Sequence, residues 1–259
     1  MSEPAIRFAV LGEARSGTTL LDTLINSHPD AVCCGEILND VDIAEGRPIR
    51  WPHRLRPFAD ELDVDWEELR GRDPVAFLTA IGELGDRAGC RAVGFKLLYG
   101  HAWERQFVFE WLASIQTFRW IHVVRRNHLR RFLSLCRAQR SGRWTKQAGA
   151  SGATEPDRMA PIHMDWDECV ESFESRRGME QFARDGLAGS AVLDLEFETM
   201  TADVPATAAR LLDFLGLPDR PLATSLRRQA TDSLRDAIAN YDELRARAVG
   251  TPWESFFDE

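Results

Sequence analysis

The chain has 259 residues, 44% of them hydrophobic, which is enough to bury a full core, and a single α/β domain over 1–259 is expected. Its formal net charge of −9 argues against a general nucleic-acid binder, whose phosphate contacts need a basic surface, and no apolar run approaches the roughly 18 residues of a membrane span. Five cysteines at 33, 34, 90, 136 and 169 lack metal-ligand spacing and read as free thiols in a reducing compartment, so with no leader-like pattern at its start the chain reads as cytoplasmic.

Residues 6–11 are an apolar run, and Leu20, Leu21, Leu24 and Ile25 recur on one helical face, so the loop between them is a strand-to-helix turn. Gly12 and Gly17 let the backbone curl, while Ser16, Thr18 and Thr19 supply hydroxyls. The free N–H groups of the first helical turn carry about half a positive charge, and together these features attract a phosphate-like anion. The spacing approaches a Walker A loop, GxxxxGK[ST], but Thr18 stands where the lysine belongs and Arg15 is the loop's only cation. Nucleoside triphosphatases use that lysine on the β- and γ-phosphates and the next hydroxyl on Mg²⁺. A P-loop kinase or NTPase is therefore disfavoured.

RSGTTLL at 15–21, SHPD at 27–30 and GE at 35–36 together resemble the 5′-phosphosulfate loop and downstream glutamate of sulfotransferases that use 3′-phosphoadenosine 5′-phosphosulfate (PAPS), including the tyrosylprotein and bacterial carbohydrate branches. The resemblance implies a P-loop-like three-layer α/β fold, with a central, mostly parallel sheet flanked by helices. It also implies PAPS as sulfuryl donor, held by Arg15, Ser16, Gly17, Thr18 and Thr19.

Residues 37–72 read as a surface excursion. The rings of Trp51, His53 and Phe58 lie among Arg47, Arg50, Arg54 and Arg56, a cluster that suits either an anionic acceptor or a solvated loop with a few buried rings. Asp73 followed by Pro74 starts a helix with Phe77, Leu78, Ile81 and Leu84 on one face. The run 92–98 is a strand, and Lys96 within it is costly to bury unpaired, so it is expected to reach a polar site from the strand's C-terminal end.

From Arg119 to Lys146 the chain holds nine Arg or Lys and no Asp or Glu. Residues 120–124 are a strand, and Leu129, Phe132, Leu133 and Cys136 mark the buried stripe of the next helix. Arg126 at the strand end and Ser134 on the helix resemble the family's 3′-phosphate site; the remaining arginines read as solvated. Residues 141–161 form a long aperiodic stretch suited to a lid. At its root Arg143 and Trp144 suit a sugar or aromatic acceptor, or Trp144 only anchors the loop. The acceptor would enter between 37–72 and 141–161.

Residues 191–195 read as a further strand whose Asp194 imitates a Walker B ligand, a reading discounted without the Walker A lysine. Asp203 and Pro205 start a helix with Ala208, Leu211, Leu212 and Leu215 on one face. The tail has helical spacing at Leu234, Ile238, Tyr241 and Leu244 and is similar to the C-terminal segment of bacterial Nod-factor and lipopolysaccharide sulfotransferases, in which an Arg-Gln pair precedes N-[YF]-x-EL. With GxK at 94–96, RRN at 125–127 and RW at 143–144, the resemblance spans nearly the whole chain. The KGxxGxW nucleotide loop of cytosolic sulfotransferases is absent, and Arg228 or residues near Trp253 are the candidates to hold adenine and part of the 3′-phosphate instead.

Sulfuryl transfer needs an in-line acceptor oxygen, a base for its proton, and cations where charge develops, without a metal. The family motif places the base at Glu36, with Arg15 and Lys96 on the transferring oxygens. His28 reads as a helix-end residue and His122 as a strand side chain. The expected partners are PAPS and a hydroxyl acceptor, by resemblance a saccharide approached by Arg143, Trp144 and Trp51, with a phenol or tyrosine as the alternative. A non-catalytic nucleotide-binding module is the further alternative, against which Glu36 speaks.

Overall fold

The computed structural model describes residues 4–142, 144, 160–226 and 233–258. The chain opens with β1 (Ile6–Gly12), α1 (Thr18–Asn26) and β2 (Ala31–Cys33). Short helices α2 (Asp40–Ala44), α3 (Arg56–Asp60) and α4 (Trp66–Arg72) precede α5 (Pro74–Arg87) and β3 (Ala92–Leu98). Next come α6 (Tyr99–Glu104), α7 (Gln106–Ser114), β4 (Arg119–Val124), α8 (His128–Ser141) and α9 (Trp166–Gly186). Last are β5 (Ala191–Glu196), α10 (Phe197–Ala202), α11 (Val204–Phe214), α12 (Leu234–Ala237), α13 (Tyr241–Ala248) and a 3₁₀ turn at Glu254–Phe257. Among the described residues no helix is long and apolar enough to cross a membrane.

The chain divides into two compact units, one of Met1–Val124 with Glu180–Thr224, the other of Arg125–Met179 with Ser225–Glu259. The first holds a five-stranded parallel sheet in the order β2-β3-β1-β4-β5. Strands β1, β3 and β4 are largely buried on both faces, as central parallel strands covered by helices must be. Phe8, Val10, Ile121 and Val123 pack on Leu21, Leu24 and Ile25 of α1 and on Leu211 and Leu212 of α11. On the opposite face Trp120 lies edge-on to Phe109 of α7, with ring centroids 5.4 Å apart, and Gly85 lets α5 approach Val93 of β3. Helix, sheet and helix make the three layers expected.

The helix starts follow their caps. Asp73 accepts a hydrogen bond from the Ala76 N–H ahead of α5, and Asp203 does the same with Ala206 ahead of α11, each with a proline in the first turn. In the second unit Leu129 and Leu133 of α8 share a core with Phe173 of α9, Leu234, Tyr241, Leu244 and Trp253.

Three expectations need correction. Residues 37–72 are not a plain solvated loop: they fold into α2, α3 and α4, burying Leu55, Trp66 and Arg70. The tail is not one helix, because Ile238 leaves α12 in extended conformation; Ile162 N–H bonds the Ala237 carbonyl and Ala239 N–H bonds the Ile162 carbonyl. That bridge competes with continued helical bonding. Nor are the remaining arginines all solvated, since Arg131 and Arg137 are buried, Arg131 donating to Ser172 Oγ at 2.7 Å.

At Gly94 a Cβ would lie 2.4 Å from the Phe8 carbonyl oxygen and 2.5 Å from the Phe8 ring. Neither the sheet backbone nor a core ring gives way cheaply. Gly94→Ala is expected to destabilise the first unit by roughly 1 to 3 kcal/mol or more, read as a lower urea midpoint; an unchanged midpoint would show that Gly94 does not set the spacing of β1 and β3.

Candidate active site

The site is built at the C-terminal edge of the parallel sheet, where α/β folds bind ligands. Between β1 and α1 the chain turns through two left-handed residues, Arg15 at φ 71° and Gly17 at φ 96°. Gly17 N-caps α1, and its missing side chain is required twice. The positive φ suits glycine, and a Cβ there would meet Met200 at 2.6 Å and Phe197 at 2.7 Å. Arg15 carries the same torsion without that freedom, a strain that marks the loop as built for a purpose. Burial pulls the Arg15 guanidinium below its ordinary pKa.

The hydroxyls divide their work. Ser16 Oγ donates to the Glu13 carbonyl at 2.6 Å and so braces the turn, while Thr18 is buried in the first helical turn. Thr19 Oγ1 faces Lys96, which donates to it at 3.0 Å.

Lys96 is the junction. Its register on β3 directs it to the α1 face, where its ammonium donates to Thr19 Oγ1 and, at 2.9 Å, to Glu36 Oε1. Its side chain is 5% exposed. Glu36 arrives there because Cys34 N–H prolongs the β2 pairing to the Gly94 carbonyl and Gly35 turns at φ 69°, its carbonyl accepting from Lys96 N–H. Burial alone would raise the Glu36 pKa. The Lys96 charge and hydrogen bond outweigh burial, with smaller help from His101 and Asn39, and hold the carboxyl below the ordinary range. Asn39 Nδ2 donates weakly to Glu36 Oε2 at 3.4 Å while its Oδ1 caps α2.

Thr19, Glu36 and Lys96 are thus brought together from three separate elements. Arg126 stands exposed just before α8 and Ser134 lies half-buried on α8, both in the second unit. Trp51 is half-buried, its ring edge-on to Trp66 at 5.2 Å, and Trp66 in turn packs on Phe77. Trp144 is exposed, whereas Arg143 and Arg228 and most of 141–161 lie outside the described residues. Much of the basic character expected near Trp51 is cancelled locally, since Arg47 pairs with Asp42 and Glu45, and Arg56 with Asp60.

The two histidines are structural, as read. His28 Nδ1 accepts from Asp30 N–H and its Nε2 donates to the Pro218 carbonyl. His122, buried on β4, links Tyr99 OH at 2.7 Å to Asp194 Oδ1 at 2.8 Å, which gives Asp194 a role unrelated to a metal. Two residues escaped the sequence reading. Asp22 on α1 has its pKa raised by burial, partly offset by Lys96, and His101 on α6 lies within electrostatic reach of both Glu36 and Lys96. His101 follows directly on the C-terminal end of β3, the one place where a sheet-edge rule flags it.

No family model matches the chain. Over 257 residues it is 30% identical to nodulation protein H of Rhizobium tropici, covering 97% of this chain and 92% of that protein. The chain belongs to the nodulation protein H family of sulfotransferases. The sulfotransferase shares its fold with a sulfotransferase from Alicyclobacillus acidocaldarius, at TM-score 0.50 and 18% identity over 100% of this chain and 95% of that one. It shares it also with the sulfotransferase domain from the curacin biosynthetic pathway, at TM-score 0.56 and 16% identity over 100% and 90%.

The Lys96–Glu36 pair sets a sign for pH dependence. A carboxyl with a depressed folded-state pKa adds stability above its unfolded pKa and loses it as pH falls through the folded value. Lys96→Met should therefore raise the Glu36 pKa, moving the acid-side loss of stability to higher pH. Carboxyl-carbon NMR titration measures this directly; an unmoved Glu36 titration would show that Lys96 is not its controlling charge.

Proposed function

We propose that this sulfotransferase moves the sulfuryl group of PAPS to a hydroxyl on a carbohydrate or glycosylated metabolite in the cytoplasm, with Glu36 as general base. The observation that carries the reading is Lys96, whose ammonium binds Glu36 and a hydroxyl of the anion-loop helix at once. An acceptor oxygen approaching Glu36 therefore also approaches the cation and the helix N-terminus suited to a phosphosulfate. The donor set fits the doubly anionic phosphosulfate end of the nucleotide: Arg15, the N–H groups after Gly17, and the Thr18 and Thr19 hydroxyls.

PAPS supplies a sulfuryl group already activated on a phosphate. Glu36, ionised at neutral pH, takes the acceptor proton as the new S–O bond forms and the old one breaks. Lys96 and Arg15 stabilise the charge that collects on the oxygens of the leaving phosphate. No metal is needed for these steps. Arg126 and Ser134 are proposed for the 3′-phosphate, with Arg228 as a further nucleotide contact. Residues 37–72 with Trp51, and 141–161 with Arg143 and Trp144, are proposed on the acceptor side of one catalytic domain over 1–259. The relationship to nodulation protein H and the sugar-stacking capacity of tryptophan support a saccharide acceptor.

Calorimetry with 3′-phosphoadenosine 5′-phosphate, ADP and ATP in the absence of metal tests the donor. Binding should require the 3′-phosphate, and Arg126→Ala should weaken it by roughly tenfold or more, since a charge-assisted hydrogen bond contributes on the order of 1.5 to 3 kcal/mol. Equal affinity with and without that phosphate would remove the assignment.

Radiolabelled transfer to a panel of saccharides, phenols and tyrosine peptides tests the acceptor and the base together. Saccharides should be labelled, and Glu36→Gln should lower turnover by roughly 10² to 10⁴ with nucleotide affinity kept. Labelling of phenols or tyrosine alone would replace the carbohydrate acceptor, and undiminished turnover would demote Glu36 to a positioning residue.

A further inference from the structure

Within electrostatic reach of Glu36 stands a histidine that the mechanism leaves unused. His101 is 9% exposed, and its Nδ1 is buried without a hydrogen-bond partner. A chain of contacts leads from its backbone carbonyl back to Glu36. Arg105 N–H bonds the His101 carbonyl at 3.1 Å, the Arg105 guanidinium pairs with Asp40, and the neighbouring Asn39 donates to Glu36. Glu36, Lys96 and Asp42 are the charged groups that act on the ring. Burial is the largest influence and holds its pKa below the ordinary imidazole value, against the opposing pull of Glu36.

A buried imidazole nitrogen without a partner costs stability, and a bound polar group that completed it would recover that cost. The attacked oxygen itself does not want this nitrogen. Its proton goes to Glu36 and its lone pair to sulfur, so a further donor there would weaken the nucleophile. The group beside it has no such conflict.

We propose that His101 is a specificity-determining residue of the acceptor site, hydrogen-bonding the polar group next to the attacked hydroxyl, such as the vicinal hydroxyl of a sugar. This rests on the reading of Glu36 as base for sulfuryl transfer. In the step itself an S–O bond forms at the attacked oxygen, the S–O bond to the donor phosphate breaks, and the proton passes to Glu36. His101 holds the neighbouring hydroxyl and exchanges no net proton. It thereby favours acceptors with two adjacent polar groups over simple phenols.

The test compares His101→Leu with His101→Asn, whose amide offers a polar atom near the position of Nδ1. The probes are chitotetraose and water as sulfuryl acceptors from radiolabelled PAPS, with affinity for 3′-phosphoadenosine 5′-phosphate as the control for folding and donor binding. The leucine variant should lose roughly tenfold or more in kcat/KM for chitotetraose, mainly through KM. Its transfer to water and its nucleotide affinity should be kept, and the asparagine variant should recover most of the loss.

Equal loss with chitotetraose and water, no loss with either, or weakened nucleotide binding would each overturn the proposal. A wild-type protein that labels no saccharide removes the proposal together with the carbohydrate reading. Glu36→Gln assayed alongside separates the two assignments: wild-type activity in that variant ends the base assignment and the His101 proposal that rests on it, whereas lost activity there with an unchanged His101→Leu ends the His101 proposal alone.

Discussion

A buried lysine must be paired, and the arrangement around Lys96 follows from that demand. An ammonium taken out of water without partners costs several kcal/mol, and removing one partner of a buried pair leaves the other charge uncompensated. Lys96 meets the demand with a hydroxyl from α1 and a carboxylate from the turn after β2. The position of Glu36 is thus linked to the sheet register, because the same residue whose backbone N–H bonds the Gly35 carbonyl offers its side chain to Glu36.

The electrostatic consequence is a division between two carboxylates within reach of one cation. Glu36, with a direct hydrogen bond to Lys96, is held ionised, whereas burial raises Asp22, whose Oδ1 accepts instead from Asn26. An ionised carboxylate and a more easily protonated carboxyl thus lie within electrostatic reach of one another. Environment, not residue type, separates them.

Much of this was legible in the residues. Strong periodic segments, the Asp-Pro helix starts and the lysine inside an apolar strand each report a local physical requirement, and the structure satisfies each locally. What escaped notice depends on tertiary context. The broken tail helix answers to a bridge with Ile162, far away in sequence. Helix α9 buries a narrow stripe of Trp166, Cys169 and Phe173 among many charges, too thin to stand out as a pattern. The acidic partners of Arg47 and Arg56 were visible in the sequence, yet only the short helices show which charges meet. His101 went unremarked because an isolated histidine on a short helix has no spacing to betray it.

The strand order has a consequence for how the protein is made. β2 follows β1 closely in the chain, yet the two are not neighbours, because β3 lies between them and bonds to both. As the chain emerges, β1 and β2 cannot complete their pairing with each other and must wait for a strand that arrives only after α2 to α5. Non-local pairing of this kind slows folding and leaves edges exposed meanwhile. The strand that fills the slot is the one carrying Lys96, so completing the sheet and assembling the charged cluster are a single event. A chain truncated or stalled before β3 has the β1–α1 loop and the glutamate but lacks the lysine that joins Thr19 to Glu36.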